Sequence, residues 1–183
     1  INIKEYTQKA LNKKIGFVPQ KGILFKGSVL ENIKYGADDI SEEKVWECLK
    51  VAQADFVKEL DGGLDYQIAQ GGTNVSGGQR QRLCIARAIA VNPEIYVFDD
   101  SFSALDYKTD RVLRQELTKY TQNATKIIVA QRVGTIMDAD KIIVLDAGKV
   151  VGVGKHKDLF ENCEVYREIA LSQLSEEEIK NGK

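Results

Sequence analysis

The sequence predicts an α/β protein, a mainly parallel sheet with a block of helices inserted into it, and three observations support this. Four short runs, at residues 15–18, 95–98, 127–130 and 142–145, are apolar without alternation, the pattern of strands covered on both faces. Between the second and third runs lies a stretch after Asp106 with Leu113, Leu117 and Tyr120 at helical spacing, which makes a βαβ unit. The third observation is that residues 28–93 lack strand-like runs and carry helix-start signals instead.

Along the chain, the run at 15–18 opens the sheet and ends at Pro19-Gln20. Ser28 with Glu31 three residues on is a capping box, and Ser41 precedes Val45, Trp46, Leu49 and Ala52 at helical spacing. Ser76 is an N-cap with Gln79 at the third helical position, opening a helix that runs to about Val91. The run at 95–98 leads directly into Asp99-Asp100, and the run at 127–130 into Gln131. Asp146-Ala147-Gly148-Lys149 turns the chain from residues 142–145 into a short strand at 150–153, a hairpin at the sheet edge. His156 is placed on the loop after that hairpin, and Trp46 in the packing of the helical block. A polar tail follows from residue 172. The resulting division is 1–27 for the first part of the core, 28–92 for the helical subdomain, 93–171 for the rest of the core and 172–183 for the tail.

Composition narrows the function. The chain has 183 residues and a formal charge of −1, with 43% hydrophobic residues, so it is an ordinary globular chain without the basic footprint of a nucleic-acid binder. Its three cysteines are far apart and lack C-x-x-C spacing, and there is one histidine, which argues against a zinc site and most triad chemistry. No run approaches the ~18 apolar residues of a membrane span.

Two constellations carry chemistry. Ligands of open α/β sheets bind beyond the carboxyl ends of the strands, where Gln20, Asp99, Asp100 and Gln131 all fall. Four oxygen- or amide-bearing side chains there suit a hard cation, its phosphate ligand and a water. In Ser76-Gly77-Gly78-Gln79, two glycines at a helix N-terminus expose backbone N–H groups where the helix dipole also favours an anion. A polar residue at a strand end is usually just entering a loop, and a Ser-Gly-Gly is usually just a cap. Their joint occurrence is what carries weight. The pair Asp99-Asp100 alone is a weak case for a two-metal nuclease.

These residues also carry a resemblance. Val75-Ser76-Gly77-Gly78-Gln79, continued by Arg80-Gln81-Arg82-Leu83-Cys84-Ile85-Ala86-Arg87-Ala88, resembles the signature motif and helix of ATP-binding cassette (ABC) ATPases. Ile95-Tyr96-Val97-Phe98-Asp99 resembles their Walker B strand, Ser103-Ala104-Leu105-Asp106 their D-loop, and Gly16-Phe17-Val18-Pro19-Gln20 their Q-loop. The segment from Phe25 to Ile33 is similar to the one that follows the Q-loop in ABC exporters.

The resemblance implies a P-loop NTPase-like (RecA-like) core with an α-helical subdomain, ATP and Mg²⁺ as ligands, and Gln20 and Asp99 as metal-binding residues. It also makes Ser76, Gly77, Gly78, Gln79 and Asp106 nucleotide-binding, with Gln20, and Asp100 and Gln131 catalytic. The partners it implies are a second ABC nucleotide-binding domain and transmembrane domains, on the cytoplasmic face of the cell membrane.

Three departures qualify it. No G-x-x-x-x-G-K-[ST] phosphate loop occurs, and 152–155 is no substitute, so the resemblance places that loop before Ile1 and makes the 183 residues alone inactive. The family's general-base glutamate is Asp100 here, one methylene shorter. The family's switch histidine is Gln131, an amide that cannot carry a proton. Both changes in one chain beside an intact signature imply one degenerate site in a heterodimeric exporter. The competing readings are a tolerant homodimer, a soluble ABC ATPase, and a non-catalytic ABC-like binding module. Arg80 and Arg87 on the signature helix are expected to be ion-paired.

Overall fold

The computed structural model describes residues 2–37 and 39–175, in two compact units numbered 1–129 and 130–183. In the first unit, α1 (Gln8–Lys14) leads into β1 (Ile15–Val18). Two-residue strands β2 (Gly27–Ser28) and β3 (Gln67–Ile68) pair antiparallel and bracket α2 (Val29–Lys34) and α3 (Glu42–Val51). Then follow α4 (Gly77–Ala90), β4 (Ile95–Asp99), α5 (Tyr107–Tyr120) and β5 (Thr125–Val129). The second unit holds α6 (Val133–Ile136), β6 (Ile142–Asp146), β7 (Lys149–Gly154), α7 (His156–Asn162) and α8 (Glu164–Gln173).

The capping boxes form as the sequence predicts. Ser28 and Glu31 exchange both bonds at the head of α2, Ser76 and Gln79 do so at α4, and Ser41 and Asp106 cap α3 and α5. The signature helix α4 is the spine of the first unit and packs on α2, α3 and β1. Its Leu83, Ile85 and Ile89 are fully buried, each worth about 1.5–3 kcal/mol of burial.

The sheet of this unit is parallel in the order β1-β4-β5, and β4-α5-β5 is the expected βαβ unit. Two expectations are corrected here. The run at 142–145 does not join the parallel sheet: as β6 it pairs antiparallel with β7 in a separate hairpin, because the turn at 146–148 returns the next segment to it. Nor do the described residues cover the sheet on both faces. Val18, Tyr96 and Phe98 point into the core, whereas Phe17 (57% exposed), Ile127 (51%) and Val129 (52%) point to an open face, so each strand alternates in burial although its sequence does not alternate in polarity.

In the second unit the hairpin packs Ile142 and Val144 against Leu159, Cys163, Tyr166 and Ala170. His156 is not on a loop; it is the first residue of α7, buried, with Nδ1 2.8 Å from the Tyr166 hydroxyl. Of the expected tail, residues 172 and 173 complete α8, and residues 176–183 lie outside those described. No helix among the described residues is long and apolar enough to cross a membrane.

Candidate functional site

The carboxyl ends of β1 and β4 bring three of the predicted residues to one edge. Gln20 stands two residues beyond β1, Asp99 ends β4, and Asp100 follows it. Parallel pairing of Val18 with Phe98 sets the two strand ends side by side, and Gln20 Nε2 donates to Asp100 Oδ2 at 3.2 Å across 80 residues of sequence. Asp100 has φ +43°, a left-handed conformation that non-glycine residues rarely adopt and that aspartate tolerates better than most. The backbone around it holds that geometry: Asp100 N donates to Val129 O, and Ser103 N and Oγ both donate to Asp100 O. Ser101, fully buried, donates to Val18 O at 2.8 Å and ties the end of β4 to the end of β1.

At the head of α4, Ser76 and Gly77 are exposed, and a side chain on Gly77 would meet nothing within 4 Å, so the first amides of the helix are open to an anion. Gly78 has a different reason to be glycine: a Cβ there would stand 3.3 Å from Ala104 O, in the turn that leads to α5. The side chain of Gln79 is engaged by the capping box, accepting from Ser76 N. Asp106 accepts from the Thr109 side chain and backbone, bonds that hold its carboxyl below the usual range.

Gln131 belongs to the second unit. It is exposed, and the turn that carries it is pinned by Gln173 at the end of α8, whose amide donates to Gln131 O and accepts from Val133 N, both at 2.8 Å.

Two expectations about α4 are corrected. Among the described residues, neither Arg80 nor Arg87 has an ion-pair partner. Arg80 donates to Gly71 O, while Arg87 donates to Ile23 O, Asn32 O and Asn32 Oδ1 and lies over the rings of Phe25 and Tyr35 at 5.0 and 5.9 Å. Arg87 is half-buried, and partial loss of solvent pushes its pKa down. Two residues that the sequence did not single out also matter: Gln173, and Gln81, a fully buried amide on α4 that donates to Pro19 O and accepts from Gly22 N. The place of Gln81 on α4, one turn before Ile85 and so on the apolar face, was the one signal available.

The donor set fits magnesium. Among the described residues no group of three or more His, Cys, Asp or Glu forms a protein cage for a metal. Mg²⁺ needs none, since it takes one or two carboxylates and completes its octahedron with water and phosphate oxygens. Asp99 and the Gln20 amide oxygen are hard donors of that kind.

Comparison with known proteins identifies the family and the fold. The family model described as ABC transporter matches residues 1–103. The chain is 47% identical over 176 residues to an uncharacterised ABC transporter ATP-binding protein of Mycobacterium tuberculosis, covering 94% of this chain and 30% of the relative. It is 40% identical over 176 residues to an ATP-dependent lipid A-core flippase of Francisella tularensis, covering 95% of this chain and 29% of that protein. The structure of a bacterial Atm1-family ABC exporter with ATP bound superposes with a TM-score of 0.90 at 37% identity, over 95% of this chain and 31% of that one. The chain thus spans about 30% of the length of the curated relatives it matches. Its mixed α/β architecture with a parallel sheet core is that of the P-loop NTPase fold, and the chain belongs to the ABC transporter family, with the fold of that family's nucleotide-binding domain.

Proposed function

We propose that this chain is part of the ATP-binding domain of an exporter, coupling ATP binding and hydrolysis to export through transmembrane domains at the cytoplasmic face of the cell membrane. The observation that carries the reading is the meeting of Gln20 with Asp100, beside Asp99, at the carboxyl ends of paired parallel strands. The similarity to a flippase and to an Atm1-family exporter supports the direction of transport.

In this reading Asp99 and Gln20 hold Mg²⁺, which when bound offsets negative charge on the phosphates. Asp100 accepts a proton from, and orients, the attacking water. Gln131 offers a neutral amide to the terminal phosphate. Ser76, Gly77, Gly78 and Gln79 present the open N-terminus of α4 to nucleotide held by a second ABC domain, with Asp106 on the neighbouring turn. The subdomain division at residues 27, 92 and 171 is part of the same proposal.

Asp100 and Gln131 make this chain's own site the slow one, and the second domain is then a different subunit that owns the competent site. A base carboxylate one methylene short of its water, with no imidazole behind it, loses about 10²- to 10⁴-fold in rate. Single-turnover hydrolysis at this site, with the partner's site disabled, tests the reading in the original protein and in Asp100→Glu/Gln131→His. The double change is expected to speed hydrolysis by about 10²-fold or more. An unmodified site that already matches a competent one would refute degeneracy.

A further inference from the structure

The turn that carries Gln20 has no regular secondary structure, yet one side chain bonds the backbone on both sides of Gln20-Lys21. Gln81 is 2% exposed, and its two amide atoms are both used on that turn: Nε2 donates to Pro19 O at 3.0 Å and Oε1 accepts from Gly22 N at 3.1 Å. Pro19 and Gly22 are the residues on either side of Gln20-Lys21, so the amide closes the turn as a neighbouring strand would close a ladder. The fit requires glycine at 22, where a Cβ would lie 2.8 Å from Gln81 Oε1 and 2.9 Å from Cys84 Sγ. Arg87, further along α4, adds a bond to Ile23 O just beyond. The side chain of Gln20 is exposed and donates to Asp100, and it takes its position from this backbone.

We propose that Gln81 is a positioning residue for the magnesium–nucleotide site: by clasping the backbone on both sides of Gln20 it fixes where that amide stands against Asp100, and so sets the divalent-cation dependence of nucleotide binding at this chain's own site. The inference rests on the ATP-binding reading above. It also links the two composite sites. Gln81 lies five residues from Ser76 on one rigid helix, about 7.5 Å along its axis, so a shift of the signature terminus carries the clasp, and Gln20 with it.

A buried amide could equally serve only to satisfy two backbone groups, and the test separates the two roles. The intact protein that contains this chain is photolabelled with 8-azido-ATP across a Mg²⁺ titration, reading label on the polypeptide that carries these residues. Gln81→Met keeps the volume and removes both bonds. It is expected to raise the Mg²⁺ concentration for half-maximal labelling by about five- to tenfold, the worth of one ordinary hydrogen bond, while labelling at saturating Mg²⁺ persists.

Gln81→Glu supplies the conservative rescue and a second route should Gln81→Met not fold. The carboxyl that this change introduces can, when protonated, donate to Pro19 O and accept from Gly22 N; when ionised it faces the carbonyl with no donor, and burial raises its pKa. Measured against the original protein at the same pH, this variant should have a normal Mg²⁺ dependence at about pH 6 and a weakened one at about pH 8.5. Folded variants with unchanged Mg²⁺ dependence, or ones that lose labelling alike at every Mg²⁺ concentration and pH, would overturn the inference and leave the ATP-binding reading standing. Absence of label from the unmodified protein would overturn that reading, and the inference with it.

Discussion

At the scale of single residues, Asp100 shows how backbone conformation constrains the choice of side chain. Its φ of +43° places Cβ close to the following carbonyl, a cost of about 1–2 kcal/mol for most L-residues that Asp and Asn reduce through local hydrogen bonds of their short side chains. Asp100→Asn should therefore leave stability almost unchanged, whereas Asp100→Glu should cost about 1 kcal/mol, read as a lower midpoint in urea at constant slope. The substitution proposed to restore the catalytic base thus trades stability for rate. Arg87 makes a related point: a half-buried guanidinium held by carbonyls and two rings is satisfied by neutral partners, so its charge says little about which partner it meets.

At the scale of elements, the head of α4 is the clearest case of local design. Ser76→Ala removes the cap and half of its reciprocal box, and should destabilise by about 1 kcal/mol, while Ser76→Gly should cost only a few tenths; equilibrium denaturation distinguishes them. Caps of this kind were legible in the sequence because both partners lie within three residues. So was the βαβ unit, whose helix and flanking strands are continuous. The partners of Arg80, Arg87 and Gln81 were not, because they come from segments as far as 62 to 64 residues away or from backbone carbonyls, which every residue type supplies alike. The run at 142–145 pairs outside the expected sheet for a similar reason: an apolar run marks a strand, but neither which strand it pairs with nor how many of its faces are covered. The placement of Gln20, Asp99 and Asp100 at strand ends was legible in the sequence, and the contact of Gln20 with Asp100 follows from the parallel register that the sequence could only suggest.

At the scale of the whole molecule, the three cysteines report on the two units separately. Cys48 and Cys84 are buried in the first, where burial pushes the Cys48 thiol up to about 11 and that of Cys84 up as well, and Cys163 is buried in the second. None should react promptly with a thiol reagent in the native state, since all three are buried away from the reagent. In rising urea Cys163, in the smaller core, should become reactive before Cys48 and Cys84, measured by mass spectrometry of the labelled peptides; simultaneous labelling would show one cooperative transition. The clasp of Gln81 on the Gln20 turn has a kinetic consequence as well. Strand β1 waits for a partner 80 residues further along the chain, and bringing such distant ends together costs about 4 kcal/mol in loop-closure entropy. Helices α2 to α4 can condense earlier from more local contacts, and once Gln81 grips residues 19 and 22 the start of β4 is only a short stretch of chain past the end of α4. During synthesis, the amide that closes the Gln20 turn would then serve first as the splint that delivers β1 to its neighbour.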